Sequence, residues 1–344
     1  MDSTSPATHT RLEFTGSAGE YFRIWIVNLT LSLLTLGIYS AWAKVRKLKY
    51  LYGHTRLNEA TFDYLADPLA ILKGRIIAFA ALIIYSLASR LNPALGLVLA
   101  LIILLAMPWL VVRTLRFKAR NSAYRGIRFD FTAPWSAAIK PFLAYSLLIP
   151  LTLGLASPFV IAEQRRFLYN HFQYGTTKFR LDVGVGGFYK VFMLASVPLL
   201  ILLAGFAVVA SLMPAPGTQP TPAQGAAILL LALIYVPVLI AMTTAIQTGL
   251  ANLIWNNLSL GPHRFRSHLR FGRMLFINLT NSLAIVISLG FLFPWATIRT
   301  LRYRIQSLTV LPAGEMDEII ATEAASVRAT GEELADFLDI DISL

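Results

Sequence analysis

One spacing recurs that brings an indole and two cations onto adjoining faces of a helix. A small residue or Pro is followed at once by an aromatic, then by bases five and eight places on and an aromatic at nine. Ala41-Trp42 leads to Arg46, Lys49 and Tyr50, Pro108-Trp109 to Arg113, Arg116 and Phe117, and Pro294-Trp295 to Arg299, Arg302 and Tyr303. Pro158-Phe159 leads to Glu163, Arg166 and Phe167, so an acid replaces the first base. Pro237-Val238 keeps only the Pro, with Met242, Ala245 and Ile246 in the later places. Indoles partition to the headgroup level of a bilayer, and guanidinium groups sit just beyond it, at the phosphates. The chemistry on offer is therefore capture of anionic lipid. Trp42, Arg46, Lys49, Trp109, Arg113, Arg116, Arg166, Trp295, Arg299 and Arg302 are the candidates. Glu163 stands where three other units carry Arg, which predicts a buried ion pair with a base of a neighbouring unit.

A second group of polar residues lies inside or beside apolar runs: Asn28, Thr243, Thr244, Gln247, Asn278 and Asn281, with Asn252, Asn256 and Asn257 further on. Such groups bond helix to helix, or line a polar path for a solute along the sixth apolar segment. No acid or base lies deep in an apolar segment, which disfavours ion-coupled transport. The five histidines form no His-x-x-x-His pair, and there is no cysteine, so no metal centre, cofactor or thiol nucleophile is expected. Gly184, Gly186 and Gly187 lack the Gly-Lys-Ser/Thr that completes a phosphate loop. With no nucleophile or acid–base pair in view, the chain is not expected to be an enzyme.

The elements that position these residues are apolar. Of 344 residues 56% are hydrophobic and 14% charged, too few charges to cover a soluble protein of this size. Between Lys190 and Arg264 there is no Lys, Arg, Asp or Glu, and residues 24–43, 91–112, 141–162 and 274–298 are also uncharged. About 20 apolar residues suffice for a helix to cross the hydrocarbon. Seven segments result, near 22–39, 75–90, 94–112, 140–158, 189–212, 226–248 and 273–293. Basic loops follow the first, third, fourth and sixth, and the uncharged connections 91–93 and 213–225 are placed outside by the positive-inside rule. Segments one, four and seven then have bases on both sides. Either each crosses fully, or each enters and returns; Gly37, Gly154 and Gly290 near their ends favour the second arrangement.

Short runs alternating with period two follow the basic helices: 61–64, 127–131, 178–181 and 263–266, with 11–14 ahead of the first segment. They predict strands that pair in one shared cytoplasmic sheet. Arg23, Asn28-Leu29-Thr30 and Ser32 recur as Arg273, Asn278-Leu279-Thr280 and Ser282. The expected fold is mainly α: a polytopic helical membrane protein of about five helical-hairpin repeats with short cytoplasmic strands. Its parts are a cytoplasmic segment 1–20, a membrane domain 21–311 (units 11–58, 59–126, 127–176, 177–262 and 263–311) and an acidic cytoplasmic tail 312–344.

Net charge is +12, yet nine of the eighteen acids lie in the last thirty residues beside Arg328 alone. The rest of the chain carries 29 bases against nine acids, a surface suited to anionic lipid. Thr330 and Glu333 have capping-box spacing ahead of Leu334, Phe337 and Leu338, so the tail forms an amphipathic helix for a protein partner or a solvated extension. Lipid phosphate accounts for the basic face more simply than nucleic acid, and no nucleic-acid partner is expected.

The run Phe14-Thr15-Gly16, Glu20-Tyr21-Phe22, Asn28 and 36–46 (Leu-Gly-Ile-Tyr-Ser-Ala-Trp-Ala-Lys-Val-Arg) resembles the YjgN-like bacterial inner-membrane proteins, and 331–342 is similar to their acidic ending. The resemblance implies a multi-pass inner-membrane protein and supplies no catalytic or binding residues. It also suggests a membrane peptidase as partner, for which no residue here speaks. A non-enzymatic scaffold or regulator binding anionic lipid or a partner protein is the leading expectation; a channel or transporter is the alternative.

Overall fold

Strands form where apolar and charged residues alternate. In the computed structural model, which describes residues 10–211 and 221–313, the runs expected to be extended are the strands β1 (Thr10–Phe14), β3 (Ala60–Tyr64), β5 (Ile127–Phe131), β7 (Thr177–Leu181) and β9 (His263–Ser267). Each is paired with a shorter strand that no alternation announces: β2 (Thr55–Leu57), β4 (Ser122–Tyr124), β6 (Phe172–Tyr174), β8 (Leu258–Leu260) and β10 (Leu308–Leu311). Two-residue turns join β2 to β3, β4 to β5, β6 to β7 and β8 to β9; that between β4 and β5 places Arg125 and Gly126 at positive φ, the twist such hairpins need. The fifth hairpin is made by the two ends of the described chain, with Thr10 opposite Val310.

All pairings are antiparallel, and they close in the order β1, β10, β9, β8, β7, β6, β5, β4, β3, β2 and back to β1. This barrel corrects the expected fold. A mainly α assembly of about five helical-hairpin repeats with accessory strands is not what organises the chain; the strands form a closed frame with no free edge. Alternate residues such as Leu57, Tyr124 and Val310 are buried within it, and Phe131 and Leu181 are buried against the helices, while Arg56, Arg128, Lys178, Arg180, Arg264 and others on the opposite face are exposed.

A pair of apolar helical segments connects each hairpin to the next. They are α1 (Ala18–Leu34) and α2 (Ser40–Gly53); α3 (Pro68–Leu91) and α4 (Pro93–Arg120); an irregular run 135–151 ending in α5 (Leu148–Leu151), followed by α6 (Ser157–Asn170); α7 (Val185–Ser211) and α8 (Pro222–Asn256); and α9 (Phe271–Ile287) and α10 (Phe293–Gln306). Among the described residues four helices, α3, α4, α7 and α8, are long and apolar enough to cross a membrane. The others stop at tips with one repeated design, Thr35-Leu36-Gly37, Thr152-Leu153-Gly154 and Ser288-Leu289-Gly290. The leucines have φ of 48°, 50° and 50° and the glycines 90°, 92° and 93°. The hydroxyl works both ways at the first two tips: Thr35 Oγ1 donates to Leu31 O (2.7 Å) and accepts from Tyr39 N (2.9 Å), and Thr152 does the same between Leu148 O and Ala156 N. The backbone thus turns with its polar groups satisfied while Leu36, Leu153 and Leu289 are over 85% exposed.

Two register corrections follow. Each exit helix (α2, α4, α6, α8 or α10) stops one residue short of the strand it enters, so Lys49, Arg116, Arg166 and Arg302 all stand six places before that strand. In α8 that place is Asn252, and the buried residue eight places earlier is Thr244, not Pro237. The chain ends also match at an offset of 253, aligning Phe14 with Ser267 and Gly37 with Gly290, not at the 250 that the Asn-Leu-Thr triplets suggest. Asn28 therefore corresponds to Asn281. Asn28 Nδ2 donates to Ala43 O and Asn281 Nδ2 to Ala296 O, the carbonyl two places after Ala41 or Pro294. The acidic tail and its capping box lie outside the described residues.

Candidate functional site: basic grooves, a clamp on the barrel and a polar crevice

In three of the exit motifs the base eight places in is held by backbone. Arg116 donates from Nε to Phe131 O (3.2 Å) and from Nη2 to Ala133 O (3.1 Å). Arg166 donates from Nε (3.2 Å) and Nη2 (2.6 Å) to Val183 O, and Arg302 from Nη2 to Gly16 O (2.8 Å). Asn252 fills the same place in α8, donating to Leu269 O (2.8 Å) and accepting from Leu269 N (3.1 Å) and Ser267 Oγ (2.7 Å). Gly16, Ala133, Val183 and Leu269 are each the second residue after an odd-numbered strand, where the ladder has ended and the next helix has not begun. Their carbonyls need donors, and the exit helix supplies one. These arginines were expected at lipid phosphate; the structure makes them clamps between helix and barrel. Glu163 is likewise corrected: it pairs with Arg166 of its own helix at 2.5 Å, not with a neighbouring unit.

The base five places in is left for other chemistry. Arg113 lies over the Trp109 ring at 5.1 Å, and Arg299 over Trp295 at 5.0 Å. Around the first pair a groove of ≈ 460 Å³ is bounded by Arg116, Arg120, Asn121 and Trp135. Around the second a groove of ≈ 330 Å³ is bounded by Ser17, Arg273, Arg302 and Tyr303. Both occupy one position in the repeat, between an exit helix and the next unit's entry. Among the described residues no carboxylate pairs with Arg113, Arg273 or Arg299; Arg120 bonds Asp130 at 2.9 Å. Burial pushes the Asp130 carboxyl up, but the Arg120 bond, a backbone hydrogen bond and the nearby guanidinium charges outweigh that and hold it below the ordinary value. Arg299 is further positioned by bonds to Thr280 Oγ1 (2.6 Å) and Asn281 Oδ1 (3.1 Å). In unit one Arg46 and Lys49 are exposed, and Trp42 packs on Tyr39.

Of the polar-path candidates, Thr243, Gln247, Asn278 and Asn281 meet in a crevice of ≈ 500 Å³ between α2, α8, α9 and α10, with Lys47, Thr300 and Arg304 on its walls. Thr244 is fully buried and accepts from Asn278 Nδ2 (2.8 Å), so it holds the wall in place. Asn28 stands apart in unit one. Lys47, Thr300 and Arg304 escaped the sequence reading because they lie on helices separated from α8 in sequence.

Four long apolar helices on a basic barrel, with indole–guanidinium pairs on the exit helices α4 and α10, are the marks of a membrane protein. The chain belongs to the DUF898 family, whose model, described as "Bacterial protein of unknown function", matches residues 9–337. It is similar to "Inner membrane protein YjgN" of Salmonella typhimurium (strain LT2), 26% identical over 373 aligned positions that cover 94% of this chain and 93% of that one. The proteins of the same name from Escherichia coli O157:H7 and K12 are each 28% identical over 44% of this chain and 38% of theirs. No solved structure matches.

Proposed function

We propose that the protein is a non-enzymatic inner-membrane scaffold that gathers anionic phospholipid headgroups in its repeated Trp/Arg grooves, with the barrel in the cytoplasm. The observation that carries this is the split within the exit motif. In three motifs a base (Arg116, Arg166, Arg302) is bound to barrel carbonyls, while Arg113 and Arg299 stack on indoles in open grooves where, among the described residues, no carboxylate pairs with them. A phosphodiester offers what such a guanidinium lacks. The relatives' printed name places them in the inner membrane, and the basic exterior of the barrel suits its anionic cytoplasmic leaflet. On this reading α3, α4, α7 and α8 cross the bilayer. The apolar part of α1, 24–34, is about 16 Å long, half the ~30 Å hydrocarbon, so the Leu-Gly tips end near mid-membrane. The test is native mass spectrometry of the detergent-solubilised protein. Arg113→Gln with Arg299→Gln is expected to lose at least tenfold in bound phosphatidylglycerol while phosphatidylethanolamine is unchanged; equal retention would sink the reading. Cysteines replacing Asn92 and Gln173 test orientation: labelling of Gln173→Cys from outside intact cells would overturn it.

The crevice supports a second reading, a path for a small polar or anionic solute, because two polar residues of α8 and two of α9 converge there with the cations Lys47 of α2 and Arg304 of α10. Flux through reconstituted vesicles that disappears in Asn278→Leu would favour it over the scaffold.

A further inference from the structure

We infer that the lumen of the barrel is a binding site for an acyl chain of a membrane lipid. This does not depend on the headgroup grooves. An eight-stranded barrel is about filled by its own side chains, and ten strands enclose more. Inside this one a cavity of ≈ 250 Å³ lies among Phe129, Phe172, Phe179, Trp255, Phe265 and His263. For scale, an apolar cavity of about 150 Å³ is dry and accepts benzene. The aromatic walls are tied to one another, with Phe129 5.0 Å from Tyr174, Phe179 6.2 Å from Phe265 and Trp255 5.4 Å from Phe265, so the lumen is a shaped space and not a soft gap.

Tyr124, Tyr174 and His263 in its lining are hydrogen-bonded. Near the hairpin turns, Tyr124 Oη donates to Leu57 O (2.8 Å) and Tyr174 Oη to Tyr124 O (2.9 Å), which ties strands together across that end. Burial holds His263 below its ordinary value, so the ring is neutral at pH 7; its Nδ1 accepts from Ala313 N (3.3 Å). The other end faces the helices. Tyr169 and Trp255, from the last turns of α6 and α8, and Leu258 and Leu308, which begin β8 and β10, border the lumen where the exit helices enter the barrel. A second cavity of ≈ 280 Å³ shares Leu12, Phe62, Phe129 and Phe172 with it and reaches Tyr52, Thr55 and Ser122 at the feet of α2 and α4. The cavity lining therefore extends from inside the barrel to the feet of the exit helices, with the tyrosine hydrogen bonds across the turn end. A narrow, flexible, uncharged chain fits that shape, and the bilayer supplies it at the helix end. Moving such a chain from hydrocarbon into carbon-lined walls carries no hydration penalty and gains the dispersion contacts of a fixed surface.

The test uses the full-length protein in nanodiscs containing phosphatidylglycerol with a diazirine on one acyl chain, irradiated and mapped by peptide mass spectrometry. A diazirine at the chain terminus is expected to label β5, β7 and β9 near Phe129, Phe179 and Phe265; one beside the glycerol should shift the label to Tyr169 and Trp255. Label confined to α3, α4, α7 and α8, or the same pattern from both probes, would overturn the inference. Leu260→Phe with Val310→Phe, which fills the lumen, is expected to cut strand labelling at least tenfold and leave helix labelling intact; undiminished strand labelling would also overturn it. The two-probe comparison needs no variant, so misfolding of the filled barrel leaves the inference exposed to refutation. In Arg113→Gln/Arg299→Gln, strand labelling is expected to persist even if headgroup retention fails.

Discussion

Arg116 and Arg113 lie one helical turn apart and the structure gives them opposite duties, so truncating each separates fold from function. Arg116 makes two hydrogen bonds, 3.2 and 3.1 Å, to the carbonyls of Phe131 and Ala133 from a half-buried guanidinium. A hydrogen bond from a charged donor contributes about 1.5–3 kcal/mol, and its loss leaves the acceptor unpaired. Two bonds sharing one partly solvated group bring the expected cost of Arg116→Ala to about 2–4 kcal/mol. Arg113→Ala removes a cation–π contact at an exposed site, about 0.5–1 kcal/mol. Arg116→Lys recovers little, because one ammonium cannot reproduce the planar fork. The assay is equilibrium unfolding in mixed micelles of increasing SDS fraction, followed by near-UV circular dichroism, with bound phosphatidylglycerol counted in parallel. Arg116→Ala should lower stability far more than Arg113→Ala, whereas Arg113→Ala, still folded, should lose bound phosphatidylglycerol. A loss below about 0.5 kcal/mol for Arg116→Ala, or equal losses for both, would refute the clamp.

Asn252→Ala should cost about 2–4 kcal/mol in the same unfolding assay, since it removes the three hydrogen bonds by which α8 grips the end of β9. Gly290→Ala should destabilise by about 1–3 kcal/mol because φ is +93°, whereas Gly272→Ala, in α9, should be neutral or stabilising; both positions have open space for a Cβ, so the contrast isolates backbone conformation. His263 sets a pH dependence. Its folded pKa lies below the ordinary 6.5, so the unfolded chain takes the proton first, and stability is complete above about pH 6.5 and falls as pH drops toward the folded value. The slope in that window should not exceed about 1.4 kcal/mol per pH unit, and His263→Gln should flatten it; an unchanged slope would remove His263 as its source.

The apolar blocks, the exit motif and the odd-numbered strands were legible in the sequence because each is a local property: hydropathy over a window, a spacing along one helix, an alternation over five residues. Even the Leu-Gly tips show as glycines at the ends of segments one, four and seven. Closure of the barrel was not legible. β2, β4, β6 and β8 have three residues each, too few for a period, and β1 meets β10 only across the whole described chain. The sequence equally offered Arg113 and Arg116 to lipid, since the two share residue type and neighbourhood. Tertiary structure assigned Arg116 to the barrel because its acceptors are backbone carbonyls, which every residue carries and no motif records. The same holds for Asn252, whose place in the repeat is set by its distance from β8 and not by the prolines that mark three of the other units. Side-chain chemistry can be read from a chain. Which unpaired backbone group it must satisfy depends on where the ladder stops, and only the closed sheet fixes that.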